Sequence, residues 1–157
     1  TGCITVNAEN TDVNVLLSQA VGEYEDKLEE KGLEVVMNFS EESPVIYADG
    51  SLTWRVFDNL FNNICKYSQE GTRVYLKTYV VGEDVIITFS NISKNSLNIS
   101  SEELMERFVR GDASRNTEGS GLGLSIAQSL IELQSGKFVL KIDGDLFKTE
   151  IIFKLNK

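Results

Sequence analysis

Histidine is absent from the 157-residue chain. That removes histidine triads, histidine metal sites and a histidine phosphoacceptor from anything the chain does by itself. Cysteine is scarce: Cys3 and Cys65 stand far apart and in no metal-ligand spacing, so free thiols in a reducing compartment are expected rather than a disulfide framework. A single proline, Pro44, and the lack of any repeat or low-complexity tract give no sign of a linker, and one domain over residues 1–157 is expected. No apolar run approaches the roughly 20 residues that cross a bilayer. The opening TGCITVNAEN also lacks a charged-then-apolar signal pattern. A soluble, cytoplasmic domain is therefore expected, which leaves a membrane-tethered parent open. Positive charge is the last shortage: 15 Lys and Arg against 24 Asp and Glu give a formal charge of −9, the wrong sign for a nucleic-acid binder. An anionic small ligand would need local cations or a metal.

What is present centres on Glu118 to Gln134, EGSGLGLSIAQSLIELQ, a glycine-rich turn running into a helix with an apolar stripe. Backbone that bends at Gly119, Gly121 and Gly123 can approach a ligand closely. The first turn of the helix leaves amide N–H groups unpaired at the positive end of the helix dipole, a place suited to phosphate. Two common phosphate motifs fail: Leu124 stands where a dinucleotide fingerprint has its third glycine, and no Gly-Lys-Ser/Thr follows. Taken alone, the turn reads equally well as the cap of a buried helix.

A second stretch, Asp49 to Tyr67, reads as a helix with Trp54, Phe57, Phe61 and Ile64 on one side and Arg55, Asn59, Asn62, Asn63 and Lys66 on the other. A merely solvated side would carry glutamate and lysine. Asparagine is a poor helix former, costing about 0.5 kcal/mol or more relative to alanine, so three so close together point to amide chemistry. An amide offers a neutral oxygen to a hard cation and N–H donors to phosphate oxygens, without the repulsion of a carboxylate.

The remaining elements follow from periodicity and turn residues. A strand is expected near Ile4 to Val6, then a helix capped by Asp12 or Asn14 with Leu16, Ala20, Tyr24 and Leu28 on one face, stopped by Gly32. Leu33, Val35, Met37 and Phe39 alternate as a half-buried strand, and Val45 to Ala48 forms another. Arg73 to Val81 and Val85 to Ser90 make a hairpin across Gly82 to Asp84, and Lys137 to Ile142 pairs with Leu146 to Leu155. Between the hairpins lies a polar stretch, Asn91 to Ser120, with a capping box at Ser100 and Glu103 and arginines at 107, 110 and 115. That stretch reads as a lid over roughly residues 92–120. The predicted fold is α+β, a two-layer sandwich of a mixed, mostly antiparallel sheet with about three main helices on one face.

Together, NLFNNICKYS at Asn59 to Ser68, ERFVRGD at Glu106 to Asp112 and GSGLGLSIAQSL at Gly119 to Leu130 resemble, in order and spacing, three boxes of the ATP-binding catalytic domain of bacterial sensor histidine kinases. The resemblance runs from about Thr11 onward and implies the Bergerat ATP-binding fold. It also implies Mg²⁺ on Asn63, Asn59 beside the phosphates, Lys66 pairing with phosphate oxygens and Tyr67 near the nucleotide. Gly119, Ser120, Gly121, Leu122, Gly123 and Leu124 would wrap the triphosphate, and Phe108 and Arg110 would belong to the lid. Mg-ATP would then be held with its γ-phosphoryl facing a histidine on a separate dimerisation helix bundle. A response regulator would be the further partner, and the parent would be membrane-bound.

One box departs from the pattern. Where the family has Asp-x-Gly-x-Gly, the chain reads Asn91-Ile92-Ser93-Lys94-Asn95. The family's aspartate accepts a hydrogen bond from the adenine amine; the Asn91 carbonyl can do the same without charge assistance. That departure keeps a degenerate pseudokinase serving as an interaction module as an alternative, beside an anti-sigma-type serine kinase. A chaperone- or repair-type ATPase would need a carboxylate base on the asparagine helix, for which Asp58 is the candidate.

Overall fold

The structure, a computed structural model, describes residues 4–95 and 122–156. The elements are β1 (Glu9–Asp12), α1 (Val13–Glu30), β2 (Glu34–Asn38), β3 (Val45–Ala48), α2 (Gly50–Tyr67), β4 (Arg73–Val81), β5 (Asp84–Ile92), α3 (Leu122–Leu133), β6 (Lys137–Asp143) and β7 (Leu146–Lys154). Five strands form one sheet in the order β2-β4-β5-β7-β6, parallel only between β2 and β4. β1 and β3 form a small antiparallel ribbon. It is tied to the end of β7 by the Ile46–Leu155 bridge and by the Asn156 N–H donating to the Val45 carbonyl at 2.9 Å.

Strand alternation places Val74, Leu76 and Thr78 of β4, Val85, Ile87 and Phe89 of β5, and Ile151 and Phe153 of β7 on one buried face. The helices cover that face. α1 contributes Val13, Leu17, Ala20, Tyr24 and Leu28; α2 contributes Val56, Phe57, Leu60, Phe61 and Ile64; α3 contributes Leu124, Ala127, Leu130 and Ile131. Tyr24 stacks on Phe61 with ring centroids 5.3 Å apart, and Phe61 meets Phe89 edge-on at 5.3 Å, so three aromatic rings join α1, α2 and the sheet. This is the predicted two-layer α+β arrangement.

Several boundaries differ from expectation. The first strand is Glu9–Asp12, not Ile4 to Val6, because Thr11 rather than Ile4 is buried against β3; Ile4 is exposed. Asp12 is the α1 cap, accepting from the Val15 N–H at 3.0 Å, while the Asn14 side chain instead donates to the Ser40 carbonyl. Leu17, not Leu16, lies in the buried stripe. β2 is an edge strand on which Met37 is exposed. β5 continues through Asn91 to Ile92, which moves Asn91 out of the polar stretch and into the sheet. The Ser100–Glu103 box, the three arginines and the rest of the expected lid lie outside the described residues, and no described helix is long and apolar enough to cross a membrane.

Candidate functional site

α2 and α3 lie against one another with their ends fastened. Asp49 caps α2, its carboxylate accepting from Leu52 N–H at 3.1 Å and Asn7 N–H at 2.9 Å. These backbone donors, Asn7 foremost, hold the buried carboxyl below its ordinary pKa. The Asp49 N–H in turn donates to Gln134 Oε1 at 2.8 Å, just beyond the C-terminus of α3, while Gln134 Nε2 donates to the Leu130 carbonyl at 3.0 Å. Gln134 therefore clasps the start of α2 to the end of α3, and the asparagine-bearing half of α2 meets the beginning of α3.

The meeting point is Asn59 against Gly123. A Cβ placed on Gly123 would stand 3.8 Å from Asn59 Cβ and 3.9 Å from its carbonyl oxygen. The first turn of α3 thus lies directly on the asparagine. Asn59 Nδ2 is buried and has no hydrogen-bond partner; no other buried side-chain nitrogen or oxygen among the described residues is in that position. Leaving an amide donor unpaired costs about 1–3 kcal/mol, so an uncompensated one beside a helix N-terminus is a place for an acceptor-rich ligand.

Asn63 follows one turn later and, like Lys66 and Tyr67, is half-buried. The end of α2 is fixed to the end of β5: Gln69 N–H donates to the Ile92 carbonyl at 2.7 Å and Lys94 N–H to the Tyr67 carbonyl at 2.9 Å. Asn91, only 4% exposed, faces this junction, and its Nδ2 donates to Ser68 Oγ at 2.8 Å. Lys31, Lys66 and Lys94 line a cavity of about 200 Å³ with Cys65 and Ser68, gathering the local cations that a chain of charge −9 needs beside an anion. Burial pushes the Cys65 thiol up against the opposing pull of Lys27 and Lys31, so it is a neutral neighbour and not a thiolate nucleophile.

Of the residues singled out from sequence, the structure brings Asn59 and Gly123 together and sets Asn63, Lys66, Tyr67 and Asn91 along the same end of α2. The Leu124 side chain is core, fully buried, so only its backbone N–H could serve a ligand. Leu122 begins α3; Phe108, Arg110, Gly119, Ser120 and Gly121 lie outside the described residues. Among the described residues no group of three or more His, Cys, Asp and Glu side chains could hold a metal, whereas the α2 amides offer neutral oxygens of the kind a hard cation accepts.

Sequence reasoning places Tyr24 on the buried face of the first helix but misses the contact it makes with α2. Its hydroxyl donates a short hydrogen bond to Asp58 Oδ1 and lies 3.3 Å from the Asp58 carbonyl. Burial, reinforced by Asp58, raises the phenol above its ordinary pKa. Asp58 is therefore turned towards Tyr24 of α1, which engages its carboxylate and weighs against a hydrolytic base beside Asn59. No spacing rule joins residues 24 and 58; only the α1–α2 packing does.

A family model for histidine kinase-, DNA gyrase B- and HSP90-like ATPases matches residues 48–157. The chain is 30% identical over 156 residues to the "Probable sensor protein PcoS" of Escherichia coli, covering 98% of this chain and 32% of that protein. It thus spans about a third of the length of that curated relative. Among solved structures, the catalytic domain of histidine kinase ThkA superposes with a TM-score of 0.82 at 20% identity, covering 95% of this chain and 96% of that one. Full-length ShkA in complex with AMPPNP superposes at 0.80 with 22% identity, covering 99% and 33%. These two likenesses establish the fold.

Proposed function

The chain belongs to the family of histidine kinase-, DNA gyrase B- and HSP90-like ATPases, and on that premise we propose that it is the ATP-binding catalytic domain of a two-component sensor histidine kinase. The observation that carries the reading is the unpartnered, buried Asn59 Nδ2 seated on the first turn of α3. A triphosphate supplies oxygens to that donor and to the backbone N–H groups of Leu122, Gly123 and Leu124, with the helix dipole favouring its charge. Lys66 adds a cation, Asn63 offers an amide oxygen to Mg²⁺, and Asn91 and Tyr67 meet the base. The donor set fits magnesium, which takes few protein oxygens and keeps phosphates and waters. When bound, the metal neutralises charge on the phosphate oxygens.

Transfer of a phosphoryl group is mostly positioning and charge neutralisation. In the reaction, the bond from the γ-phosphorus to its bridging oxygen breaks, a bond to an imidazole nitrogen forms, and ADP leaves. That imidazole must come from another domain, since the chain has no histidine. A helical dimerisation domain of the same parent and, downstream, a response regulator are the partners this reading assigns; the parent is a membrane-tethered receptor with this domain on its cytoplasmic side. Phe108, Arg110, Gly119, Ser120 and Gly121 complete the nucleotide site. Calorimetric titration of the chain with Mg-ATP tests the reading: saturable binding without label transfer to the chain from γ-labelled ATP supports it, and absence of binding, or label on the chain itself, overturns it.

A further inference from the structure

Asn91 is the last inward-facing residue of β5, with Phe89 before it on the strand and Phe147 as its cross-strand partner on β7. Neither aromatic neighbour offers the amide a hydrogen-bonding preference. The preference comes from Ser68: Asn91 Nδ2 donates to Ser68 Oγ at 2.8 Å, and the two residues are 4% and 5% exposed. Both ends of this bond are reversible. A hydroxyl accepts or donates with equal ease, and a carboxamide turned by half a rotation exchanges its oxygen and its NH₂. The pair consequently has two arrangements with the same number of hydrogen bonds. In one, Nδ2 donates to Ser68 and Oδ1 is the end of the amide not spent on that bond. In the other, the Ser68 hydroxyl donates to Oδ1 and Nδ2 is the unspent end. A carboxylate in the same place has only acceptor oxygens and could take the first role alone.

We propose that the Ser68–Asn91 pair makes the site tolerant at position 6 of the purine, so that it takes 6-oxo purine triphosphates as well as ATP. This rests on the reading that Asn91 meets the base. A 6-amino group donates to Oδ1 in the first arrangement; a 6-oxo group accepts from Nδ2 in the second. Against a carboxylate, the 6-oxo group would set acceptor against acceptor in a buried place, where a polar group without a partner is strongly disfavoured.

The test is calorimetric titration of the whole chain with Mg-ATP and with Mg-ITP, whose base differs from adenine in carrying a 6-oxo group and a proton on N1. Dissociation constants within about tenfold of each other are expected, widening to about a hundredfold in Asn91→Asp, a span typical of one buried hydrogen-bond mismatch. ATP bound with ITP weaker by more than about tenfold overturns the inference and leaves the proposed function standing. An unchanged ratio in a cooperatively melting Asn91→Asp does the same. If Asn91→Asp fails to fold, the triphosphate of unsubstituted purine riboside decides on the unaltered chain: binding weaker than both ATP and ITP supports the inference, and binding equal to ITP overturns it. Failure of every nucleotide to bind overturns the proposed function, and this inference with it.

Discussion

α1 and α2 share one plan. Each runs for 18 residues, each is capped by an aspartate whose Oδ1 accepts the N–H three residues on, and each carries a single lysine in its last turn. Their more polar sides differ. α1 exposes Glu23, Glu25, Asp26, Glu29 and Glu30 to solvent, whereas α2 carries three half-buried asparagines: Asn59 against Gly123, Asn62 bonded to Tyr24 of α1, and Asn63. Carboxylates keep a helix soluble at little conformational cost, while each asparagine gives up about 0.5 kcal/mol or more of helix propensity. A sequence that accepts that loss repeatedly on one helix, and not on its neighbour of equal length and capping, has the pattern expected of a helix that meets a ligand, as the proposed function requires.

Substitutions can break this comparison. The largest expected loss is on the side the two helices share: Phe61→Ala removes the ring between Tyr24 and Phe89 and should lower unfolding free energy by about 3–5 kcal/mol in urea titration. On the polar sides the helices should part company. Asn59→Ala should weaken Mg-ATP binding by at least about tenfold without lowering stability, since it deletes a donor that has no partner in the fold and restores helix propensity. Glu25→Ala on α1, the control, should shift stability by less than about 0.5 kcal/mol and leave binding alone. Equal binding losses in these two variants would erase the distinction.

The caps sharpen it further. Asp49→Ala should cost about 1–2 kcal/mol, because Asp49 is buried and serves two backbone donors, against about 1 kcal/mol or less for Asp12→Ala. The Asp49 carboxyl titrates below its unfolded value of about 3.9. Its contribution is therefore complete above about pH 4 and is lost as pH falls through the lower folded pKa. Acid titration of Asp49→Asn should lack that loss. Among the buried contacts, the smallest effect expected is from Tyr24→Phe, about 1 kcal/mol for the lost bond to Asp58, read as a lower urea midpoint with Mg-ATP affinity preserved.

Much of this is legible in the chain. Apolar spacing locates both long helices, and turn glycines mark both hairpins; Gly32 ends α1 in a left-handed conformation at φ 67° as its place after the stripe requires. The asparagine helix and the glycine at 123 each stand out by residue type, although nothing in the sequence says that they touch. What periodicity cannot reach is contact between residues far apart in sequence, such as Tyr24 with Asp58 or Asp49 with Gln134. The turn after α3 departs from the usual pairing of glycine with the left-handed position. The left-handed residue is Ser135, at φ 65°, and Gly136 is needed for space: a Cβ there would stand 2.9 Å from Ile131 Cγ2 and 3.0 Å from Phe153 Cε1. Ile4 to Val6 misleads because an apolar triplet reads as a strand whether or not a neighbour waits to cover it.

The Gln134 clasp fixes where the helix pair is held. α3 is held at its far end by that side chain and by the tight seat of Gly136, and its 12 residues place the hold roughly 18 Å from Leu122 at about 1.5 Å per residue. Leu124, Ala127, Leu130 and Ile131 anchor the span between those points in the core, so the first turn of α3 is presented to Asn59 by a helix fixed along its length.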